Sequence, residues 1–110
     1  MVNLIERLPF SKNIKERLNY LVDYTNNVVD DVVGIVLFGS YARCEQNMRS
    51  DIDICILTKG SFTRLQRGTV SAEYDEYGVD VVMFPVSEFF SSKSKLVKQI
   101  LKDGVVIWKA

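Results

Sequence analysis

The chain has 110 residues, of which 47% are hydrophobic and 25% are charged, a balance typical of a folded globular protein and not of a disordered one. Its 14 basic and 14 acidic residues cancel to a formal charge of zero, which argues against stable binding to nucleic acid or to an anionic membrane. Histidine is absent, which excludes Ser-His and Cys-His nucleophiles and histidine-ligated metal sites.

The length predicts one domain, residues 1–110, with a single hydrophobic core. Such a domain is small for an enzyme that must enclose two substrates, so a partner could supply the missing wall. Residues 1–17 have no apolar stretch of signal-peptide length, and no run approaches the roughly 18 residues of a membrane span. Cys44 and Cys55 lack the spacing of a zinc site or a disulfide framework. We therefore expect a cytoplasmic protein with two free thiols.

The first predicted helix begins at Ser11, which is a candidate N-cap, and ends at the Asn26-Asn27 pair. Apolar side chains recur at helical spacing within it. The next run, Val32 to Phe38, is rich in β-branched residues and predicts a strand that is buried on both faces and ends at Gly39. A short helix with Ser40 as its N-cap could follow, which would aim free backbone amides at an anion.

The second predicted strand carries a pair of acids, Asp51 and Asp53. Side chains alternate along a strand, so the two carboxylates share one face, roughly 7 Å apart at the backbone, while Ile52, Ile54 and Ile56 line the other. Carboxylate oxygens are the ligands that Mg²⁺ prefers, and a bound Mg²⁺ keeps open positions for substrate phosphates. The Gly39-Ser40 corner lets backbone amides and a hydroxyl approach a phosphate closely. The two features predict complementary halves of one site.

Residues 58–77 predict a loop followed by one helix or two short ones, with Tyr74 and Tyr77 on an exposed acidic face. Gly78 then leads into a strand from Val79 to Phe84 that carries Asp80 among apolar neighbours. An ionised carboxylate in such a strand is costly unless a cation or hydrogen bonds stabilise it. The remaining segments predict a short helical turn at residues 87–90, a helix over residues 94–102 and a closing strand over residues 105–108.

The motif Gly-Ser-Tyr-Ala-Arg at residues 39–43, followed by Ser-Asp-Ile-Asp at residues 50–53, resembles the minimal nucleotidyltransferases (MNT). These small proteins belong to the DNA polymerase beta-like nucleotidyltransferase superfamily and often act as antitoxins to HEPN ribonuclease toxins. The resemblance extends over most of the chain. It implies an α/β (α+β) fold with a small mixed sheet flanked by helices, and it places the third carboxylate of the site at Asp80. One departure is Cys44, where the family usually has a second glycine.

The resemblance implies transfer of AMP from ATP to a hydroxyl acceptor, which on family grounds is a tyrosine of a partner HEPN toxin. Asp51, Asp53 and Asp80 would then be the catalytic residues and would bind two Mg²⁺ ions, and Asp80 could also accept the proton of the attacking hydroxyl. The nucleotide-binding residues would be Gly39, Ser40, Arg43 and Arg49, because the two arginines can each offer a donor fork to phosphate oxygens.

Two other functions remain open at this point. The chain could be a non-catalytic antitoxin that masks a toxin by contact, or it could modify a small molecule such as an aminoglycoside, although it lacks room for the second domain that such enzymes usually carry. The residues do not determine the acceptor, the nucleotide preference or whether the chain forms a homo-oligomer.

Overall fold

The structure is a computed structural model that describes every residue from Met1 to Ala110. Its five strands are β1 (Val2–Asn3), β2 (Val32–Phe38), β3 (Ile52–Thr58), β4 (Val79–Pro85) and β5 (Val105–Lys109). Its helices are α1 (Lys12–Val28), α2 (Gly39–Ala42), α3 (Arg64–Glu76), α4 (Val86–Ser91) and α5 (Lys95–Asp103), with a 3-10 turn at Ile5–Arg7. None of the helices combines the length and hydrophobicity that a transmembrane span needs.

The strands form one mixed sheet in the order β1-β5-β2-β3-β4. Only β3 and β4 are parallel, and the other neighbouring strands are antiparallel. A parallel pair needs a crossover connection, and α3 supplies it between β3 and β4. The expected small mixed sheet flanked by helices is therefore confirmed.

The sheet is covered on both faces, as the unbroken apolar run of β2 predicted. On one face Ile35, Ile54 and Ile56 are buried in the larger core with residues of α1 and α3. On the other face Val36, Phe38 and Cys55 pack with Phe89 of α4 and with Val97 and Ile100 of α5. Successive residues of β2 and β3 thus alternate between two cores, and Asp53 belongs by this alternation to the face of Cys55.

Helix α1 begins where the sequence predicts, because the Ser11 side chain accepts a hydrogen bond from the Ile14 amide. It continues to Val28, beyond the Asn26-Asn27 pair that was expected to end it. Both asparagines are exposed, and the Asn26 side chain donates to the Val22 carbonyl one turn earlier. The pair therefore fits the helix without burying an unsatisfied amide.

Residues 58–77 form a loop and a single helix, α3, whose start is a capping box between Thr63 and Gln66. The prediction that Tyr74 lies on an exposed face of the helix is wrong. Tyr74 is only 1% exposed, and its hydroxyl lies 2.7 Å from the hydroxyl of Thr25 on α1. Val70 and Tyr74 are four residues apart and so share the helix face that packs on the core.

Candidate active site

Two of the three predicted acidic residues meet across the parallel strand pair. Asp53 of β3 and Asp80 of β4 are direct register partners, so their side chains lie on the same face of the sheet. Asp53 is half-buried and Asp80 is exposed, while Asp51 is exposed just before β3. Paired strands lie roughly 4.8 Å apart, which leaves the carboxylates of Asp53 and Asp80 side by side at this end of the sheet.

The electrostatics of Asp53 reflect this crowding. Its pKa is raised above the ordinary carboxyl value, first by burial and then by the negative charges of Asp80 and Asp51. The positive charge of Arg43 opposes the rise in pKa but does not cancel it. None of the three ion pairs within the chain involves Asp51, Asp53 or Asp80. The repulsion among these carboxylates is therefore left without a directly paired protein cation.

A divalent cation of the Mg²⁺ type fits this donor set, because every side chain in it offers carboxylate oxygens and its negative charge is uncompensated. The three aspartates are not already gathered into a closed site, and no group of three or more acidic or cysteine side chains in the chain is close enough to hold a metal ion. Asp53 and Asp80 form the centre of the candidate site, and Asp51 lies at its margin. Metal binding by the three aspartates stays a prediction.

Gly39 forms the wall of the site next to Asp53. It has a φ of +76°, in the left-handed region that favours glycine. A Cβ at this position would overlap the Asp53 carboxylate oxygen Oδ2 and would lie 3.2 Å from the Asp53 Cγ. The absence of a side chain at residue 39 is thus what makes room for the Asp53 carboxylate.

Ser40 does not cap helix α2, contrary to expectation. The helix starts at Gly39, its N-cap position is Phe38, and no side chain caps it. The positive φ of Gly39 turns the chain immediately after β2, so the helix begins at Gly39, two residues earlier than the Tyr41 start that a Ser40 cap would give. Ser40 is half-buried within α2, and its hydroxyl is not used to satisfy the start of the helix.

Cys44, at the position where the resemblance predicts a glycine, adopts a backbone conformation that favours glycine. Its φ is +55°, again in the left-handed region, where a side chain costs roughly 1–2 kcal/mol. The turn around it is held by backbone hydrogen bonds from the Cys44 amide to the Tyr41 carbonyl and from the Glu45 amide to the Ser40 carbonyl. The turn is therefore formed with cysteine at residue 44.

The two arginines proposed to bind phosphate lie in different settings. Arg43 donates from Nε to Glu45 and from Nη1 to Asp103, both at 3.1 Å. Both acids raise the pKa of its guanidinium. Arg49 is exposed in the turn before Asp51, and no ion pair ties it to the aspartates. The structure thus places Arg43 close enough to affect the pKa of Asp53 and gives no such link for Arg49.

Asp103, which the predicted elements and motifs did not single out, is connected to the site through its ion pair with Arg43. It lies at the end of α5, its side chain is 11% exposed, and 60 residues separate it from Arg43. A local signal existed, because an acid in the last turn of a helix opposes the helix dipole and needs a compensating partner. Cys55 does not contribute a charged group to the site, since burial raises the pKa of its thiol to about 12 and keeps the thiol protonated.

The contact between Gly39 and Asp53 leads to the first prediction. Gly39→Ala should destabilise the fold by roughly 1–2 kcal/mol or more, since it adds left-handed strain and displaces the Asp53 carboxylate. Chemical denaturation measures this loss. Gly60→Ala is the matched control, because a Cβ there meets nothing within 4 Å and the backbone is not left-handed. Equal stabilities for the two variants would contradict the described contact.

The left-handed conformation of Cys44 predicts that replacing this residue by glycine stabilises the fold. Cys44→Gly should raise the free energy of unfolding by about 1 kcal/mol, because glycine adopts the left-handed conformation without a Cβ penalty. Cys44→Ala keeps the Cβ and should leave stability nearly unchanged, so the difference between the two variants isolates the backbone effect. A Cys44→Gly protein that is no more stable than Cys44→Ala would refute the assigned conformation.

The raised pKa of Asp53 predicts a pH-dependent stability in metal-free buffer. An acid with a raised folded-state pKa destabilises the fold as pH rises from the ordinary carboxyl pKa through the folded value. Asp53→Asn removes this penalty, so it should be more stable than the wild type at about pH 7 and lose that advantage below about pH 4. Thermal unfolding with a chelator tests this, and Asp23→Asn on α1 is the control. A gain that is the same at both pH values would count against the electrostatic cause.

The chain is similar to known proteins in both sequence and fold. Residues 9–110 match the family described as "Polymerase beta, Nucleotidyltransferase". A Methanocaldococcus jannaschii protein named as a protein adenylyltransferase is 25% identical over 87 residues, which cover 77% of this chain and 88% of the relative.

Two solved structures share the fold. One is a chain of a toxin–antitoxin complex with AMP-PNP, with a TM-score of 0.62 and 23% identity over 86% of this chain and 73% of the other. The second belongs to a Shewanella oneidensis complex of a tri-AMPylated HEPN toxin with an MNT antitoxin, with a TM-score of 0.62 and 21% identity over 87% and 72% of the two chains. The match over residues 9–110, which include the Gly39-Ser40 corner and all three aspartates, shows that this chain belongs to the polymerase beta nucleotidyltransferase family.

Proposed function

We propose that this chain is a Mg²⁺-dependent protein adenylyltransferase that transfers AMP from ATP to a tyrosine of a HEPN-type toxin and thereby acts as its antitoxin. The observation that carries the proposal is the register pairing of Asp53 with Asp80 beside Gly39. The names of the archaeal relative and of the two solved complexes support the protein acceptor and the toxin partner. A single domain, residues 1–110, working in the cytoplasm is part of the same proposal.

Asp51, Asp53 and Asp80 would hold the cations, for which family resemblance suggests two Mg²⁺ ions. Bound Mg²⁺ supplies neutralisation of the triphosphate and stabilisation of pyrophosphate as the leaving group. The raised pKa of Asp53 supports this assignment, because a carboxylate that is partly buried and also faces the negative charges of Asp80 and Asp51 is stabilised by a nearby cation.

In the transfer itself, the acceptor oxygen forms a bond to the α-phosphorus of ATP. The bond from that phosphorus to the oxygen bridging the β-phosphate breaks, and pyrophosphate leaves with its electron pair. The proton of the acceptor hydroxyl passes to the Asp80 carboxylate, which is exposed and therefore accessible to an incoming acceptor. Asp80 is the base in this scheme because Asp53, its half-buried partner, is less accessible.

Ser40 and Arg43 would hold the phosphate tail. The Ser40 hydroxyl is not needed to cap α2, so it can donate to a phosphate oxygen. Arg43 is fixed by Glu45 through Nε and by Asp103 through Nη1, which leaves Nη2 for a phosphate oxygen without breaking either contact. Arg49, in the exposed turn, would be a second and more mobile phosphate contact.

Labelled ATP provides the direct test. With Mg²⁺ and a co-expressed HEPN toxin, the wild-type chain should transfer label to a toxin tyrosine, and mass spectrometry should locate an added adenylyl group. Asp53→Asn and Asp80→Asn should abolish transfer, whereas Ser40→Ala should retain a reduced rate that corresponds to roughly 1–3 kcal/mol for a lost hydrogen bond to a charged group. Asp23→Asn is the control that removes an exposed carboxylate from α1.

Inhibition of the toxin at a one-to-one ratio without label transfer would favour masking by contact and would overturn the enzymatic proposal. Label transfer to an aminoglycoside but not to the toxin would overturn the protein acceptor alone. Full transfer by Asp80→Asn would remove that residue from the proposed site.

A further inference from the structure

The outer edge of β4 is unpaired and borders a groove. β4 is the last strand of the sheet and pairs only with β3. A cavity of about 590 Å³, which we call the β4 groove, lies along this edge between Gly68, Ser71 and Ala72 of α3 and Val79, Asp80 and Val81 of β4. An adjoining cavity of about 290 Å³ shares Ser71 and Val81 and extends the groove to Phe84. The groove therefore follows most of β4.

The helix wall of the groove is made of small side chains. Gly68, Ser71 and Ala72 recur at helical spacing on the outer side of α3, and all three are exposed. A Cβ on Gly68 would meet no atom within 4 Å. This wall leaves the strand edge open, although native proteins usually cover, shorten or twist away such edges because an unpaired edge offers free backbone donors and acceptors.

The groove is continuous with the candidate active site through Asp80, which lines the groove and pairs in register with Asp53. Cross-strand partners in a sheet point to the same face. A residue of an added strand that paired with Asp80 would therefore point its side chain to the face of the aspartates. Its two sequence neighbours would point to the opposite face, where the small residues of α3 leave space.

The charges along the groove differ between its ends. Asp75 lines it near Val79, and Arg67 lines it near Phe84, with the guanidinium 5.2 Å from the ring centre of Phe62. An extended segment with a basic residue at the Asp75 end and an acidic residue at the Arg67 end would complement both ends. A nucleotide, with a single cluster of negative charge, would not.

We propose that the β4 groove is the docking site of the acceptor protein, which adds an extended segment to the edge of β4 with its hydroxyl-bearing residue in register with Asp80. Main-chain hydrogen bonds to the strand edge supply affinity in this mode of recognition, and the alternating side chains supply specificity. The inference rests on the proposed function, since it states how the acceptor of that reaction is presented. The acceptor residue would have to lie in an extended segment and not in a helix.

Filling the groove tests the proposal. Ser71→Trp and Ala72→Trp place an indole in the groove at exposed helix positions, and Leu65→Trp is the matched control because Leu65 is 79% exposed on the same helix but outside the groove. The probe is a synthetic nonapeptide with a central tyrosine between alternating valines and threonines, a lysine at one end and a glutamate at the other. The groove variants should raise KM for this peptide by about tenfold or more, which corresponds to roughly 1.4 kcal/mol of binding, with ATP binding unchanged.

Two altered peptides separate strand addition from simple contact. The same peptide with N-methyl groups on the residues flanking the tyrosine, which removes backbone donors, should be a poorer acceptor by a similar factor. An alanine-rich helical peptide with the same tyrosine should also be poor. Equal use of all three peptides, or equal KM values for Ser71→Trp and Leu65→Trp, would overturn the docking site while leaving adenylyl transfer intact.

Failure of the proposed function would be recognised separately. If the wild-type chain transfers AMP to no acceptor, the peptide is titrated into labelled protein and backbone amide shifts are followed by NMR. Shifts confined to β4 and the outer side of α3, and lost in Ser71→Trp, would support the groove as a strand-binding site. Shifts elsewhere, or a wild-type dimer that Ser71→Trp dissociates, would overturn the proposal, the dimer by assigning the edge to a second copy of the chain.

Discussion

The parallel pairing of β3 with β4 is the constraint on which the rest of the structure depends. It brings Asp53 and Asp80, which are 27 positions apart by their numbers, into direct register on one face of the sheet. The opposite face of β3 stabilises this arrangement, because Ile52, Ile54 and Ile56 are almost completely buried in the larger core. Hydrophobic burial of this size can offset the repulsion between two neighbouring carboxylates.

The site depends on the absence of a side chain at Gly39 as much as on the positions of its aspartates. Gly39 makes room for the Asp53 carboxylate, and its positive φ starts α2 immediately after β2. The following turn is then tied to the far end of the chain by the ion pair of Arg43 with Asp103. Asp103 is largely buried while Arg43 is exposed, so the pair is a partly solvated link between the turn and the end of α5. The Arg43–Asp103 ion pair thus connects the turn that follows β2 and α2 to the end of α5.

The site is open because a chain of 110 residues is too short to enclose it on every side. Asp51 and Asp80 are exposed, and no strand of the chain pairs with the outer edge of β4. Asp51 and Asp80 are therefore accessible to a second substrate from the solvent. A partner that brings its own surface to these aspartates would exclude water from the reaction more effectively than this chain does alone.

The sequence by itself determined the elements from the first long helix onward and the motif, because each depends on residues that are close along the chain, whereas it did not indicate β1 or the 3-10 turn at Ile5–Arg7. Alternation placed Asp53 and Ile54 on opposite faces, and helical spacing and Ser11 defined the first helix. Only the tertiary structure decided that Tyr74 is buried against Thr25, that Ser40 is not an N-cap and that β1 pairs with β5. Strand order, register and the Arg43–Asp103 pair join residues that are distant in sequence, and no local propensity encodes which distant partner closes a loop.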